Sequence, residues 1–526
     1  MFSENWHRRF FLFGLISLFS GLLFGSALIS ISQFLLGLNW FLEKRYAEKL
    51  KSIFSNPYFY ILCSVFILHI IGFTYTSDIY AGLNDLKTKV PLLVFAIIFL
   101  STKPLSTKEF EWLFNFFIAS VIISSIWCFL VFNGITNKKI IDIRDASVFM
   151  SHIRFSIIIA FTILSICYFS FSKKTIVLAS PLILWLVYFM LKFQMATGLF
   201  ALVTVATIFV IIYMVKNTNK YINLIVLLIL TSLAYYSYLK IKSDLLIYNK
   251  QPLNSYNQLL KSTINNNLYA QDTTQNLAEN GNLITVNFCD IELKKEWKKR
   301  SNLDFNEKDN KGNSLRFTIY RYMSSKGLLK DSSGISKLNS KDIVNIENGV
   351  SNFKYADNSG LEQKWRELIW EYNGYKRNEN PSGHTLSMRL EFWETALFII
   401  KQNPLFGVGT GDIQTSFNQA YDQTNSKLSK EWRLKCHNQY LAITVAFGFI
   451  GFIVFISYLI IPALTLRKKL HDLYWPFILI ILLSFLTEDT LESQAGLTFF
   501  GIFNTLFIWL ASCKEEKINH SILKLP

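Results

Sequence analysis

The sequence predicts an all-α polytopic membrane protein with about twelve transmembrane helices and one large hydrophilic insertion before the tenth. Three observations carry that expectation. Of the 526 residues, 51% are hydrophobic and only 17% are charged, against about 25% charged in an ordinary soluble domain. The apolar residues gather into runs that approach or exceed the roughly 17 to 25 residues needed to cross a hydrocarbon core. The formal net charge of +16 falls largely in short connectors, where Lys and Arg report topology more than an affinity for nucleic acid.

In chain order, the expected spans are 10–24, 25–42, 57–76, 90–102, 109–132, 149–171, 174–192, 196–215, 222–240, 435–464, 474–487 and 494–512. The stretch opening at Phe10 has no small-residue cleavage pattern and reads as an anchor, not a removed signal peptide. Arg8 and Arg9 precede it, and Lys44, Arg45, Lys49 and Lys51 follow. Both flanks belong in the cytoplasm, so the stretch crosses twice, turning near Ser20, Gly21, Gly25 and Ser26. Lys103 and Lys108, Lys173 and Lys174, Lys216 and Lys220, then Arg467, Lys468 and Lys469 keep the same register. Both termini are then cytoplasmic. The expected division is a membrane region over 1–240 with about nine spans, an extracytoplasmic loop or cap over 241–434, a second membrane region over 435–513 with about three spans, and a cytoplasmic tail over 514–526.

The loop is too long for a simple connector. It opens polar and Asn-rich from Asn249 to Asn282, which reads as a loose wrap. Leu315, Phe317 and Ile319 alternate with polar neighbours and predict a short extended segment. Leu361, Trp365, Leu368, Ile369 and Tyr372 follow helical spacing, and a second amphipathic helix from Leu386 to Lys401 is stopped by Asn403-Pro404. Of the 6 cysteines, Cys289 and Cys436 fall in or beside this loop, where a disulfide between them is open. No internal repeat and no metal-binding cysteine pattern is present.

Charge is costly inside a bilayer, so the charged residues near span ends are candidates for chemistry. Arg154, in Ser151-His152-Ile153-Arg154, and Lys89, before Pro91, lie toward the expected outer ends of their spans. Interfacial snorkelling accounts for either alone; together with Arg389 they could meet an anionic group. His437, in Cys436-His437-Asn438-Gln439-Tyr440, is suited to a general base near neutral pH or to a helix cap. Gly407-Val408-Gly409-Thr410-Gly411-Asp412 lacks dinucleotide-binding spacing and reads as a flexible turn, with a phosphate nest as the alternative. Lys294, Lys295, Lys298, Lys299 and Arg300 surround Trp297 and suit a solvated face or anionic lipid head groups.

The order of these motifs resembles the O-antigen ligase family, which includes O-antigen polymerases and protein O-oligosaccharyltransferases. The resemblance runs through Arg389-Leu390-Glu391-Phe392-Trp393, the segment Asn403 to Asp412, and His437-Asn438-Gln439-Tyr440-Leu441. It continues through Thr487-Glu488-Asp489-Thr490-Leu491-Glu492-Ser493-Gln494-Ala495-Gly496. Tyr75-Thr76, Lys89-Val90-Pro91 and Ser151 to Phe155 fit as well, and Arg321 to Glu347 resembles a subgroup with an enlarged periplasmic loop. One departure stands out. Many relatives carry a Ser-Arg-Thr-Gly-like turn where this chain has Met195-Ala196-Thr197-Gly198, which leaves Gln194 or Lys192 as partial substitutes.

The resemblance implies a GT-C-like fold and glycan transfer from undecaprenyl diphosphate to an acceptor hydroxyl of lipid A–core or a similar lipid, at the periplasmic face of the bacterial inner membrane. It implies His437 and Arg389 as catalytic residues, and Arg154, Lys89 and Gln194 as ligands of the donor diphosphate. Glu391, Trp393, Gly407, Gly409, Asn438, Tyr440, Glu488 and Glu492 would support them. The scheme calls for no metal, no cofactor and no nucleic acid; its partners are the lipid-linked donor, the glycan or lipid acceptor and membrane lipid. A polymerase or a protein-directed transferase would share the donor chemistry. A polysaccharide flippase is a different class, and broken, repeated helices would favour it.

Overall fold

A computed structural model describes residues 3–136, 138, 143–216, 219–249, 259–273, 277–310, 312–355, 361–376 and 380–513. The expected cytoplasmic tail and parts of the Asn-rich stretch lie outside the described residues. The chain divides into two compact units. The first comprises Met1–Thr136, Ala146–Val210 and Arg389–Pro526; the second comprises Asn137–Asp145 and Ile211–Met388.

Ten helices open the chain: α1 (Glu4–Phe24), α2 (Ser26–Leu42), α3 (Tyr46–Ser55), α4 (Pro57–Phe73), α5 (Ile79–Leu100), α6 (Thr107–Phe132), α7 (His152–Ser172), α8 (Ile176–Lys192), α9 (Ala196–Lys216) and α10 (Lys220–Asn249). The loop region holds α11 (Asp290–Trp297), α12 (Leu315–Ser325), α13 (Ser332–Ile335), α14 (Ser340–Glu347) and α15 (Leu361–Lys376). Then follow α16 (Thr385–Gln402), α17 (Ile413–Gln423), α18 (Gln439–Thr465), α19 (Tyr474–Ser484) and α20 (Gln494–Ser512). Each of the twelve segments expected to span falls on one of these helices. Among the described residues, seven helices are long and apolar enough to cross a membrane by themselves, or eight if α3 and α4, bent by 84°, form one span. The chain is an all-α polytopic membrane protein.

Local sequence accounts for the hairpins. Gly25, at φ +135°, ends α1 and lets α2 reverse, and a Cβ on Gly21 would meet the Ile29 nitrogen at 2.9 Å. The two helices therefore approach closely over small residues. Asn56 caps α4, with Pro57 at its first position, and Ser106 with Glu109 forms a reciprocal capping box on α6. Almost every residue of α20 is buried, as its all-round apolar sequence requires. Phe499, Phe503 and Phe507 on α20 pack edge and face against Phe114, Phe117, Phe161 and Phe477.

The second unit has its own core of Ile284, Leu293, Trp297, Phe305, Leu315, Ile319, Tyr322, Met323, Ile335 and Ile346. A two-stranded ribbon, Ala278–Glu279 against Asn282–Leu283, closes one side. The extended segment expected over Leu315–Tyr320 is instead the start of α12. Its buried face, Leu315, Thr318, Ile319, Tyr322 and Met323, keeps helical spacing once the window passes Tyr320. The described part of the Asn-rich stretch is not loose. Ala270 exchanges backbone hydrogen bonds with Phe288, and Thr263 and Asn267 both donate to the buried Glu292 carboxylate. Cys289 and Cys436 are both free, buried thiols.

The expected cap ran to 434, yet Arg389 and the residues after it fold with the membrane helices.

Candidate active site

Helix α16 supplies the first wall. Phe392, Ala396, Ile399 and Ile400 bury one face, and the i, i+3, i+4 spacing of Arg389, Phe392 and Trp393 brings all three onto the segment that leads into α18. Arg389 Nη2 donates to Glu488 Oε1 at 2.9 Å. The Phe392 ring lies 5.8 Å from the His437 ring. Trp393 Nε1 donates to the Cys436 carbonyl at 3.0 Å. Beside them, Glu391 accepts from Ser426 Oγ at 2.5 Å.

The segment 436–440 is pinned at nearly every residue. Asn438 caps α18 through its side chain and donates from Nδ2 to the Leu486 carbonyl at 3.1 Å. The Gln439 amide N–H donates to Phe485 at 2.9 Å. The Tyr440 hydroxyl donates to Leu482 at 3.1 Å. Between these anchors His437 is held at φ +45°, a left-handed conformation costly for a non-glycine residue and typical of over-determined functional positions.

His437 Nδ1 is buried 3.5 Å from Asp489 Oδ1 and 3.9 Å from Glu488 Oε2, without a closer hydrogen-bond partner. Its side chain keeps a third of its surface, so the ring is open on another side. The Asp489 carboxylate raises the imidazole pKa most; burial opposes it, Glu488 adds to the rise, and Arg389 opposes it. Burial raises the pKa of Glu488, against the pull of Arg389, His437 and Arg154. Arg154, at the first turn of α7, is thus electrostatically close to Glu488. Among the described residues it makes no hydrogen bond or ion pair, and its Nε is buried without a partner.

The other expected residues fall elsewhere. Gln194 sits at φ +53° in the turn between α8 and α9. Gly198, just beyond, packs so tightly on Ser156 that a Cβ would meet its carbonyl oxygen at 2.3 Å. That close approach explains a glycine there whatever precedes it. Lys192 lies over the Phe132 ring. Lys89 is only 1% exposed and is paired inside the protein with Asp85 and Glu492, so its ammonium does not join the arginines.

Residues 407–411 are a clasp, not a flexible turn. Their five successive amides donate to Asn403, Val445, Ala446 and Gly72 carbonyls and to Thr76 Oγ1, which leaves no nest for phosphate. Gly407 (φ +67°) and Gly409 (φ +93°) are required. A Cβ on the first would fall 2.4 Å from the Ala446 backbone, and on the second 3.0 Å from the Gly72 oxygen. Asp412 then caps the Ser77 and Asp78 amides.

Among the described residues, two groups bring His and carboxylate ligand atoms within 4.8 Å of one another: His437 with Glu488 and Asp489, and His69 with Asp85 and Glu492. In each, a protein cation already neutralises a carboxylate, Arg389 in the first and Lys89 in the second. Sequence reading passed over Asp489 and Gln439 as site residues, although both stand inside the quoted motifs beside Glu488 and Asn438.

Residues 146–456, more than half of the chain, match the family described as O-antigen ligase. The chain belongs to that family. As a member of the O-antigen ligase family it is a multi-pass membrane protein. A Haemophilus influenzae protein, described as uncharacterized, is 33% identical over 117 residues, 21% of this chain and 28% of that protein. The chain thus spans little more than a quarter of that relative's length. Within the O-antigen ligase match lie Arg154, Gln194, Arg389, the 407–411 clasp and His437; Lys89 and the carboxylates 488–492 lie outside it.

Proposed function

We propose that this protein is an inverting glycosyltransferase that moves a glycan from undecaprenyl diphosphate to an acceptor hydroxyl, with lipid A–core or a similar lipid as acceptor. The supporting observation is His437 itself: a residue on a left-handed backbone, with Nδ1 turned to two carboxylates and a third of its side-chain surface open. With its proton on Nδ1, facing Asp489, the ring offers the Nε2 lone pair to an acceptor hydroxyl. The acceptor oxygen attacks the anomeric carbon opposite the diphosphate. The bond from that carbon to the phosphate oxygen breaks, the diphosphate leaves with the electron pair, and the hydroxyl proton passes to Nε2. In this reading Arg154 and Arg389 meet the charge that develops on the leaving group. The positive-inside distribution supports a site on the outer side of the membrane with both termini cytoplasmic, as the inner-membrane reading requires.

The base must be neutral to act, so transfer should fall as pH drops through the raised pKa of His437. Asp489→Asn removes the largest raising influence, and the acid limb of the pH–rate profile should then move to lower pH. An unmoved limb would separate Asp489 from the base.

The decisive assay is reconstitution in liposomes with an undecaprenyl-diphosphate glycan and separate lipid, glycan and protein acceptors. Bond formation to the lipid alone supports the ligase reading. Product on glycan identifies a polymerase, product on protein a protein transferase, and translocation without a new bond a flippase.

A further inference from the structure

The first half of α5 carries a buried charge cluster that this transfer scheme leaves unused. Lys89 Nζ donates to the Leu491 carbonyl at 2.8 Å and pairs with Glu492 at 3.0 Å and Asp85 at 3.2 Å. Asp85 also lies 3.5 Å from His69 Nε2, while His69 Nδ1 meets the Val65 carbonyl at 2.7 Å. An ammonium has three donors, and here each has a partner, so Lys89 has none left for a phosphate.

From the other side, Gln439 grips the same segment. Its Oε1 accepts from the Leu491 amide at 2.8 Å, and its Nε2 lies 3.5 Å from Glu492 Oε1. Gln439 is fully buried and begins α18 two residues after His437. The gripped residues, Leu491 and Glu492, follow Glu488 and Asp489 with only Thr490 between, and those two carboxylates face the imidazole. We infer that Lys89 and Gln439 are paired positioning residues: by holding the turn Thr490–Glu492 between α5 and α18, they set the distance from His437 to its carboxylates. This rests on the reading of His437 as the base.

The inference accounts for two otherwise separate facts. A left-handed His437 persists only where its surroundings over-determine it, and a buried cation inside a membrane domain calls for a function or a tightly matched set of partners. Here each is the reason for the other.

The test compares full-length Lys89→Met, Gln439→Leu and the double variant in liposomes with the lipid-linked donor. Each single change should cost about tenfold to a hundredfold in kcat, the scale expected for slight misplacement of reacting groups, with donor KM within about twofold. The double variant should be no slower than the slower single, because both release one element. Lys89→Met strands two carboxylates and can reduce the folded yield. Gln439→Leu keeps every ion pair and tests the grip without that burden. Maleimide labelling of the buried Cys436 thiol, mapped by mass spectrometry, should quicken in both singles and reads the grip without reference to catalysis. Multiplying kcat losses, an unchanged Cys436 labelling rate, or a donor KM that rises at constant kcat in Lys89→Met would each overturn the proposal; the last would return Lys89 to the phosphate. A His437→Ala protein that keeps its rate would sink the base reading alone, and the Cys436 labelling result would still decide the grip.

Discussion

His437→Ala is expected to insert and purify like the native protein while transferring glycan on the order of 10²- to 10⁴-fold more slowly, the range that a positioned proton acceptor contributes. Alanine keeps the left-handed backbone at this position, and the imidazole that is lost faces Asp489 Oδ1 at 3.5 Å with no shorter hydrogen bond. Little stability should be lost, which makes the variant a clean probe. Donor KM should change little, because the groups placed to hold the diphosphate are Arg154 and Arg389. Single-turnover transfer on a pre-bound donor isolates the step. A rate within a few-fold of native would mean that some other group takes the proton.

Arg389→Ala should be the second severe lesion, and its cause needs a cycle to resolve. Loss of one preorganised charge partner at a developing anion costs about 2.7 to 4 kcal/mol, or 10² to 10³ in kcat. The same change strips Glu488 of its ion-pair partner while it is 8% exposed, and breaking a buried pair costs about 3 to 5 kcal/mol in stability. Glu488→Gln in the same chain removes the stranded charge. If Arg389 acts on the leaving group, the double variant regains thermal stability and stays slow. Recovery of transfer along with stability would reduce Arg389 to a counter-ion. Arg389→Lys should fall between, because it keeps the charge and loses the planar fork.

Much of this was legible in the chain. Long apolar runs have a simple physical reading, and all twelve expected spans coincide with helices because bilayer crossing imposes length and composition together. The short motifs around Arg389, His437 and Glu488 pointed to residues that meet, although 48 and 51 positions separate His437 from the other two. What sequence could not convey was who pairs with whom. Lys89 looked like an interfacial cation because its neighbours in sequence are polar; its partner Glu492 is 403 residues away. The glycine segment looked mobile because its clasp partners, Gly72 on α4, Thr76 in the α4–α5 connector and Ala446 on α18, are distant in sequence. Over Leu315–Tyr320 six residues were too few to separate alternation from helical spacing, and the four that follow decide it. Residues 389–434 read as polar loop in the sequence, yet the segment 407–411 hydrogen-bonds to α4 and α18.

Helix α18 is interrupted at Gly448, where φ is +62° and ψ is −164°. The break leaves main-chain groups that hydrocarbon cannot hydrate. Val408 and Gly409 donate to the freed carbonyls of Val445 and Ala446, and the Phe449 amide donates to Pro404. Residues 404–409 therefore serve as a piece of that helix's own backbone ladder, lent from an earlier part of the chain. It follows that specificity exchanges between relatives cannot treat everything before the tenth span as an interchangeable cassette. A chimera joined inside 403–412 would strand peptide groups within the bilayer, whereas a junction at Met388 carries the whole ladder across intact.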